Sequence, residues 1–278
     1  MWLALTLLSA FLWGIGHVLT KKGYDHVTPL FNNIFASIVT LAITVPFAIS
    51  NGGNLKPVFD ILPITLLIAL LLLSFYYILE LGQVSLTGTI LATFPIYTVV
   101  LSILFLKEEP TQFQFIAMTL VLLGTIAIAF GEGISDRRKI QFGTWLWIAV
   151  AGSIMVGAAD FFAKVAINQS DTYSYILIYG LTFPFISFLS YFFDKKGRKM
   201  PNLRSKKFLP TAIGVTMMEV GLLSFYVALS DGLVSVVTPI SSLYVAIMTI
   251  LAWFFLKEKL NRYQIVGIVL SLIGIMIL

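Results

Sequence analysis

Ten apolar segments, each near the length of a membrane-spanning helix, make up most of this 278-residue chain. A helix needs about 20 mostly apolar residues to cross the hydrocarbon core of a bilayer. Charged residues are 11% of the chain, and they gather in the short connections between these segments. Soluble domains carry about 25% charged residues. The sequence therefore excludes a soluble enzyme and predicts an all-α polytopic membrane protein.

The apolar segments are continuous and lack the alternation of a membrane β-barrel strand. The first is too long for a cleaved signal peptide, so we take it as the first span. The predicted spans are residues 2–20, 30–50, 61–80, 84–106, 113–131, 143–164, 173–193, 208–230, 233–256 and 262–278.

An internal repeat runs through the chain, and its matches include polar and glycine positions. At an offset of 150 residues, Leu72–Tyr76 matches Leu222–Tyr226, Phe105–Glu108 matches Phe255–Glu258, and Gly124 matches Gly274. At an offset of 143 residues, the matched residues are Trp2, Gly14 and Lys21 with Trp145, Gly157 and Lys164.

The repeat predicts two five-helix units, residues 1–131 and 143–278, joined by a linker at 132–142. Because five is an odd number, the second unit must enter the membrane from the opposite side. Ten transmembrane helices would thus form two inverted five-helix repeats. Inverted repeats place a binding site at their interface near the membrane midplane and support alternating access.

The basic residues give an expectation for orientation. If both termini lie outside, 15 of the 18 Lys and Arg residues fall in inward-facing connections. Because cytoplasmic loops are enriched in Lys and Arg, this count favours both termini outside.

Two acidic residues lie inside predicted spans, Asp160 in the sixth and Glu219 in the eighth. A charged side chain at a helix centre costs about 2.5–3.5 kcal/mol, so such residues tend to face the bundle interior or a wet cavity. Asp160 could exchange a proton or hold a cationic substrate, or form an i,i+4 ion pair with Lys164. Glu219 could couple transport to protons, or stay protonated and hydrogen-bonded to a neighbouring helix.

His17 occupies the position in the first repeat that matches Asp160 in the second. Since its unperturbed pKa is about 6.5, it could relay protons, or it could be a helix-end histidine bonded to a carbonyl. Aromatic side chains could flank an apolar or cationic ligand, or simply pack between helices. The candidates are Trp13, Tyr76, Tyr226 and Tyr244.

Two further expectations concern local structure. Pro95 and Pro239 should bend their helices and free backbone groups to line a cavity. Glu108 and Glu258 should each cap the helix that follows, at its positive end.

The sequence lacks the motifs that are typical of other functional classes. The chain has no cysteine and only two histidines, both before residue 30, and it has no glycine-rich phosphate loop and no HExxH motif. We therefore expect no enzyme activity, no cofactor and no metal site. The basic residues flank spans, so we expect no nucleic-acid partner.

The repeated motifs resemble the EamA-type members of the drug/metabolite transporter superfamily. The resemblance rests on Trp13-Gly14 followed by Lys21, and on Leu106–Pro110 and Leu256–Leu260, each followed by a matched glutamine and glycine. It implies a secondary transporter of small organic solutes, often an exporter of amino acids, metabolites or drugs. It also implies cytoplasmic termini, against the charge count. His17 departs from many relatives, whose first helix is uncharged.

The leading hypothesis is a secondary active transporter, an exporter coupled to protons, that works by alternating access. Its expected partners are a small-molecule substrate, the lipid bilayer, protons and a second copy in a homodimer. Its expected location is a bacterial cell membrane, as a multi-pass protein. The alternatives are a flippase subunit for a lipid-linked carrier and a membrane scaffold or receptor that transports nothing.

Overall fold

A computed structural model of the protein shows a helical architecture. The structure describes residues 1–21, 27–81, 90–135, 144–195, 197–198, 208–257 and 259–278. Within these ranges the chain forms helices, turns and short connections, and it forms no β-strand. The predicted all-α class is therefore confirmed for the described residues.

The helices follow the apolar segments of the sequence closely. They are α1 (Trp2–Lys21), α2 (Pro29–Ser50), α3 (Val58–Leu81), α4 (Phe94–Leu101), α5 (Gln112–Ser135), α6 (Thr144–Gln169), α7 (Thr172–Phe193), α8 (Phe208–Ala228), α9 (Val234–Ser241), α10 (Tyr244–Leu256) and α11 (Arg262–Met276). A five-residue π-helical segment, Ser102–Leu106, continues α4.

In the part of the chain that the structure describes, eight of the ten predicted spans contain a helical segment long and apolar enough to cross a membrane. The 20 residues of α1, for example, extend about 30 Å at 1.5 Å per residue. The consecutive helices α9 and α10 together supply one such span, Val234–Phe255. The fourth and tenth predicted spans contain shorter apolar helices, Phe94–Leu106 and Arg262–Met276. Ten complete spans therefore stay a prediction, and most of the predicted linker lies outside the described residues.

The repeated glutamines of the sequence begin equivalent helices in the two halves. Before α5, the Thr111 amide donates to Gln114 Oε1 at 2.9 Å, and the Gln114 amide donates to Thr111 Oγ1 at 3.3 Å. Asn261 and Gln264 form the same reciprocal pair before α11. Such capping boxes satisfy amides that a helix start leaves unpaired. The repeated motif thus marks where the last helix of each half begins.

The lysines of the same motif end the preceding helices. Lys107 and Lys257 each adopt a left-handed backbone with φ of 56°. This conformation is uncommon for residues other than glycine. Its occurrence at matched positions shows that both halves terminate their fourth helical segment in the same way.

Glu108 caps a helix, but the expectation that it caps the following one is wrong. Its Oε1 and Oε2 accept hydrogen bonds from the Val234 and Ser235 amides, at 3.0 and 2.8 Å, at the start of α9. A carboxylate is favourable there because unpaired amides and the helix dipole make a helix start electropositive. The bond ties the first half of the chain to the second. Glu258 lies outside the described residues.

Two helices are interrupted at matched positions. The chain turns at Ala92-Thr93 before α4 and at Ser242-Leu243 between α9 and α10. The Thr93 and Ser242 hydroxyls donate to carbonyls three residues earlier, at 2.7 and 2.5 Å. Pro239 lies inside α9, three residues before its turn, and the expected bend at Pro239 stays a prediction. Pro95 lies just after the other turn, at the start of α4, so the chain is interrupted on the N-terminal side of this proline, where the missing N–H would have bonded the Leu91 carbonyl.

Glycines allow the two halves to pack through reciprocal contacts. A methyl group on Gly124 would overlap Ser271 and the Gly267 carbonyl, and one on Gly274 would overlap Val121 and the Ala117 carbonyl. Gly124 and Gly274 occupy matched positions in the repeat, and so do the residues they meet. Helices α5 and α11 therefore approach each other closely, and each presents the same surface to the other.

The first helices of the halves show the same reciprocity. Gly14 on α1 packs against the Tyr244 carbonyl and Ile247 on α10. Gly157 on α6, the match of Gly14, packs against the Phe94 carbonyl and Tyr97 on α4. The first helix of each half thus packs on the fourth helix of the other, so residues from both halves surround the interior between them.

The Glu108 contact gives the first testable prediction. Glu108→Gln should destabilise the folded protein by about 1–2 kcal/mol, because the amide removes the charge and can accept at only one oxygen. Glu109→Gln is the matched control, since this substitution removes the same charge at an exposed side chain. Thermal unfolding of the purified protein in detergent measures both. Equal unfolding temperatures for the two variants would contradict the prediction.

Candidate functional site

A cavity of about 130 Å³ lies between the two halves of the bundle. Its wall includes residues of α1, α3, α4, α6, α7, α8 and α10. The lining residues are Trp13, His17, Leu72, Phe75, Phe94, Val156, Asp160, Tyr179, Phe183, Met218, Glu219, Leu222 and Tyr244. It is therefore a mainly aromatic and aliphatic chamber with three ionisable side chains.

The structure brings five of the seven predicted site residues to this wall: Trp13, His17, Asp160, Glu219 and Tyr244. Tyr226 is buried behind the wall, with its ring centroid 5.3 Å from that of the lining Tyr179. Tyr76 belongs to α3, but its side chain lies outside the described residues.

The helix interruptions and the packing glycines position several of these side chains. Phe94 and Tyr244 are the first residues of α4 and α10, directly after the two turns. His17 and Asp160 each follow a packing glycine by three residues, so the helix face that meets the other half also carries the ionisable group. Matched positions of the two halves thus line the cavity, but the two halves carry different side chains at these positions.

Glu219 on α8 is 8% exposed and lies against a threonine of the first half. Its Oε2 is 2.5 Å from Thr40 Oγ1 on α2, and the same hydroxyl is 2.9 Å from the Ala36 carbonyl. A hydroxyl has only one hydrogen to donate. When Glu219 is ionised, Thr40 must donate to it. When Glu219 is protonated, Thr40 can accept from it and donate to Ala36. The bond between α2 and α8 therefore depends on the proton of Glu219.

Asp160 on α6 is 9% exposed and makes an analogous contact within the second half. Its Oδ2 accepts from Thr238 Oγ1 on α9 at 3.1 Å. Each carboxyl group therefore has a threonine hydroxyl of another helix as its partner. Partnering of this kind lowers the cost of placing an acidic group away from water.

Among the described contacts, Lys164 does not form the i,i+4 ion pair with Asp160 that the sequence allowed. Its ammonium group donates to the Leu229 and Gly232 carbonyls at 2.5 and 3.0 Å, just beyond the end of α8. The last carbonyls of a helix lack intrahelical partners, and a cation there also meets the negative end of the helix dipole. The described contacts of Lys164 are therefore those of a helix cap.

Aromatic contacts join the cavity wall into one group. The His17 ring stacks on Tyr244 at 5.0 Å, and Trp13 meets Tyr244 edge to face at 6.0 Å. Trp13 Nε1 also donates to the Met218 carbonyl at 2.9 Å, beside Glu219. This hydrogen bond fixes the indole ring of the first half against α8 of the second.

Several lining and supporting residues escaped the sequence reasoning. Phe94 could have been found, because it occupies the repeat position of Tyr244. Phe183 lies in a repeated Thr-x-Pro-Phe motif, Thr44–Phe47 and Thr182–Phe185, which could have pointed to it, whereas Tyr179 and Met218 offered no signal in so apolar a chain. The threonine partners Thr40 and Thr238 are also ordinary in sequence, and only the helix packing shows their role. Within the described ranges, no three His, Asp or Glu side chains are grouped as a metal site would require.

The sequence model of the EamA-like transporter family matches residues 1–130 and 143–278, which is nearly the whole chain. The chain belongs to the EamA-like transporter family. It is therefore a multi-pass membrane protein of a transporter family, consistent with the drug/metabolite transporter superfamily that its motifs resemble.

The chain is also similar to two proteins of known sequence and to one solved structure. An uncharacterized transporter of Bacillus subtilis, YdfC, is 25% identical over 272 residues, or 95% of this chain and 86% of that protein. An uncharacterized protein of Methanocaldococcus jannaschii is 34% identical over 129 residues, or 45% of this chain and 89% of that protein. A crystal structure at 13% identity has a TM-score of 0.81 and covers 99% of this chain and 95% of its own, which shows a shared fold.

The Thr40–Glu219 contact gives the second prediction. Thr40→Val should destabilise the protein by about 1–3 kcal/mol, because it leaves a buried carboxyl group without its partner. Thr40→Ser keeps the hydroxyl and should cost less than about 1 kcal/mol. Thr44→Val is the control, since the Thr44 hydroxyl bonds only its own helix among the described contacts, at the Thr40 carbonyl. Thermal unfolding in detergent ranks the three variants, and a Thr40→Val effect no larger than that of Thr44→Val would contradict the assignment.

Proposed function

We propose that this member of the EamA-like family is a secondary active transporter that exports a small organic solute across a bacterial cell membrane in exchange for protons. The observation that carries the proposal is the cavity between the halves, lined by both and containing two buried carboxyl groups. Acidic groups inside a membrane bundle are costly and mark ion or substrate pathways. Substrate and protons are therefore assigned to this one site.

The proposed mechanism is alternating access by two inverted repeats, residues 1–131 and 143–278. The reciprocal glycine contacts support it, since a two-fold relation makes each half present the same surface to the other. The M. jannaschii relative also supports a five-helix unit, because 45% of this chain matches 89% of that protein. Orientation in the membrane, the linker at 132–142 and a homodimer stay predictions.

Proton coupling is proposed to act through Glu219. Protonation would let the Thr40 hydroxyl turn from Glu219 to the Ala36 carbonyl. The charge-assisted bond between α2 and α8 would then become a neutral one, and charge-assisted hydrogen bonds are about twice as strong. The proton would thereby change how easily the two halves separate along this contact.

Of the alternatives, the cavity volume favours a small solute over a lipid-linked carrier. A cavity of about 130 Å³ approaches the 150 Å³ that accommodates a benzene molecule. A lipid-linked carrier would require room for a much larger headgroup. A scaffold role would leave the two buried carboxyl groups without a use.

Opposed insertion of the halves is testable by cysteine labelling, since the chain has no cysteine of its own. Lys56→Cys and Lys195→Cys lie at exposed positions in the connections after the second helix of each half. Inverted repeats place these connections on opposite faces. A membrane-impermeant maleimide should therefore label one and not the other in intact cells, and both after permeabilisation. Labelling of both in intact cells would contradict inversion.

Proton coupling is testable in liposomes that enclose a pH-sensitive dye. Wild-type protein should produce proton flux when a member of a panel of amino acids, amines, nucleosides or sugars is added. Glu219→Gln cannot release a proton, so its flux should fall to that of protein-free liposomes, whereas Glu109→Gln should retain it. Wild-type flux in the Glu219→Gln variant would exclude Glu219 as the coupling group. Failure of the whole panel with wild-type protein would count against transport.

A further inference from the structure

We propose that the cavity selects a small organic monocation, an ammonium group on an apolar body about the size of one ring, over neutral and anionic molecules of the same shape. This inference names the substrate class and rests on the proposed function only in treating the cavity as the transport site. It follows from the charge, the wall and the size of the cavity together.

The ionisable groups on the wall are two carboxyl groups and the imidazole of His17, which stacks on Tyr244. Asp160 and Glu219 are acidic, and among the described lining residues neither Lys nor Arg occurs. Lys164 lies one helical turn from Asp160, but its ammonium group is bound to the carbonyls beyond α8. An anion would therefore meet two acidic groups and no Lys or Arg among the described lining residues, whereas an ammonium group could pair with either carboxyl group.

Each acidic group has acceptor capacity left for a ligand. The hydrogen bonds described for Glu219 and Asp160 occupy Oε2 and Oδ2, through Thr40 and Thr238. A carboxylate has about four lone-pair sites on its two oxygens, and an ammonium group has only donors. The threonine contacts hold the carboxyl groups in place and leave the second oxygen of each available.

The rest of the wall suits the apolar part and the charge of such a ligand. Six lining residues are Phe, Tyr or Trp, namely Trp13, Phe75, Phe94, Tyr179, Phe183 and Tyr244. Aromatic faces attract cations by about 0.5–2 kcal/mol, more strongly where water is excluded. The His17–Tyr244 stack and the fixed Trp13 ring provide flat surfaces for a ring-sized body.

The volume limits the size of the ligand. The cavity of about 130 Å³ is close to one that holds a benzene molecule. Because the cavity is partly open rather than enclosed, a single ring can occupy it together with a short ammonium arm directed to Glu219 or Asp160. Bulky multi-ring cations exceed it.

Three probes of one shape test the inference: benzylammonium, benzyl alcohol and benzoate. They share a ring and a one-carbon substituent and carry charges of about +1, 0 and −1 at neutral pH. Titration calorimetry on the purified full chain in detergent should show benzylammonium binding at least about tenfold more tightly than benzyl alcohol, which corresponds to 1.4 kcal/mol. Benzoate should bind more weakly than either.

Carboxyl-to-amide variants test whether Asp160 and Glu219 cause the preference for benzylammonium over benzyl alcohol. The double variant Asp160→Asn/Glu219→Gln should bind benzylammonium and benzyl alcohol equally, while Glu109→Gln should keep the wild-type ratio. If the double variant does not fold, as judged by its thermal unfolding, the wild-type ranking of the three probes decides alone. Benzyl alcohol or benzoate binding as tightly as benzylammonium to wild-type protein would overturn the inference.

The outcomes separate this inference from the proposed function. Transport of a neutral solute in liposomes, with no preference for benzylammonium, would overturn cation selectivity and leave transport standing. Selective binding of benzylammonium, without movement of it or any panel solute across the bilayer, would overturn transport and leave the selectivity standing.

Discussion

Polar groups in the hydrocarbon core of a bilayer cannot bond to water, and the interior of this protein is arranged around that constraint. Three of its buried ionisable side chains have partners on other helices or in the connections that follow them. Glu219 contacts Thr40, Asp160 contacts Thr238, and the Lys164 ammonium group contacts two carbonyls beyond α8. Each contact joins elements that are distant in sequence. The same interactions that make these groups tolerable in a membrane therefore also determine which helices meet, and they enclose the cavity that the helices surround.

The duplication explains the geometry of the cavity, while its chemistry comes mainly from one half. Matched turns bring Phe94 and Tyr244 to the wall, and matched glycines bring α1 and α6 against α10 and α4. Yet Asp160 replaces His17, and the match of Glu219 is the buried Ala69. Duplication thus supplied a framework in which each half contributes equivalent positions. Divergence then placed both acidic groups on the second half and left the first to supply partners such as Thr40 and Trp13.

Much of this architecture was predictable because helix spans and repeats are encoded locally. Apolar segments fix the helices, and ungapped matches of glycine and glutamine identify the duplication. Burial inside the bundle was also predictable for Asp160 and Glu219, since a lone acidic residue in a span must avoid lipid. Partner choice was not, because it depends on how helices pack. Glu108 caps α9 rather than the following helix, and Lys164 caps the end of α8 rather than pairing with Asp160. These contacts cross more than 60 residues of sequence and have no local signature.

The unequal halves have a consequence for the proposed transport cycle. A rocking motion separates contacts between halves and preserves those within a half. The Thr40–Glu219 bond crosses between the halves, whereas the Thr238–Asp160 bond lies within the second. Moving the halves apart at α2 and α8 would therefore strain the Glu219 contact and leave the Asp160 contact intact. In the proposed cycle, a proton or a bound ammonium group would offset the charge of Glu219 and so weaken its hydrogen bond with Thr40. In this cycle, Glu219 would therefore be the acidic group whose occupancy is coupled to motion, and Asp160 would hold the cation while the motion occurs.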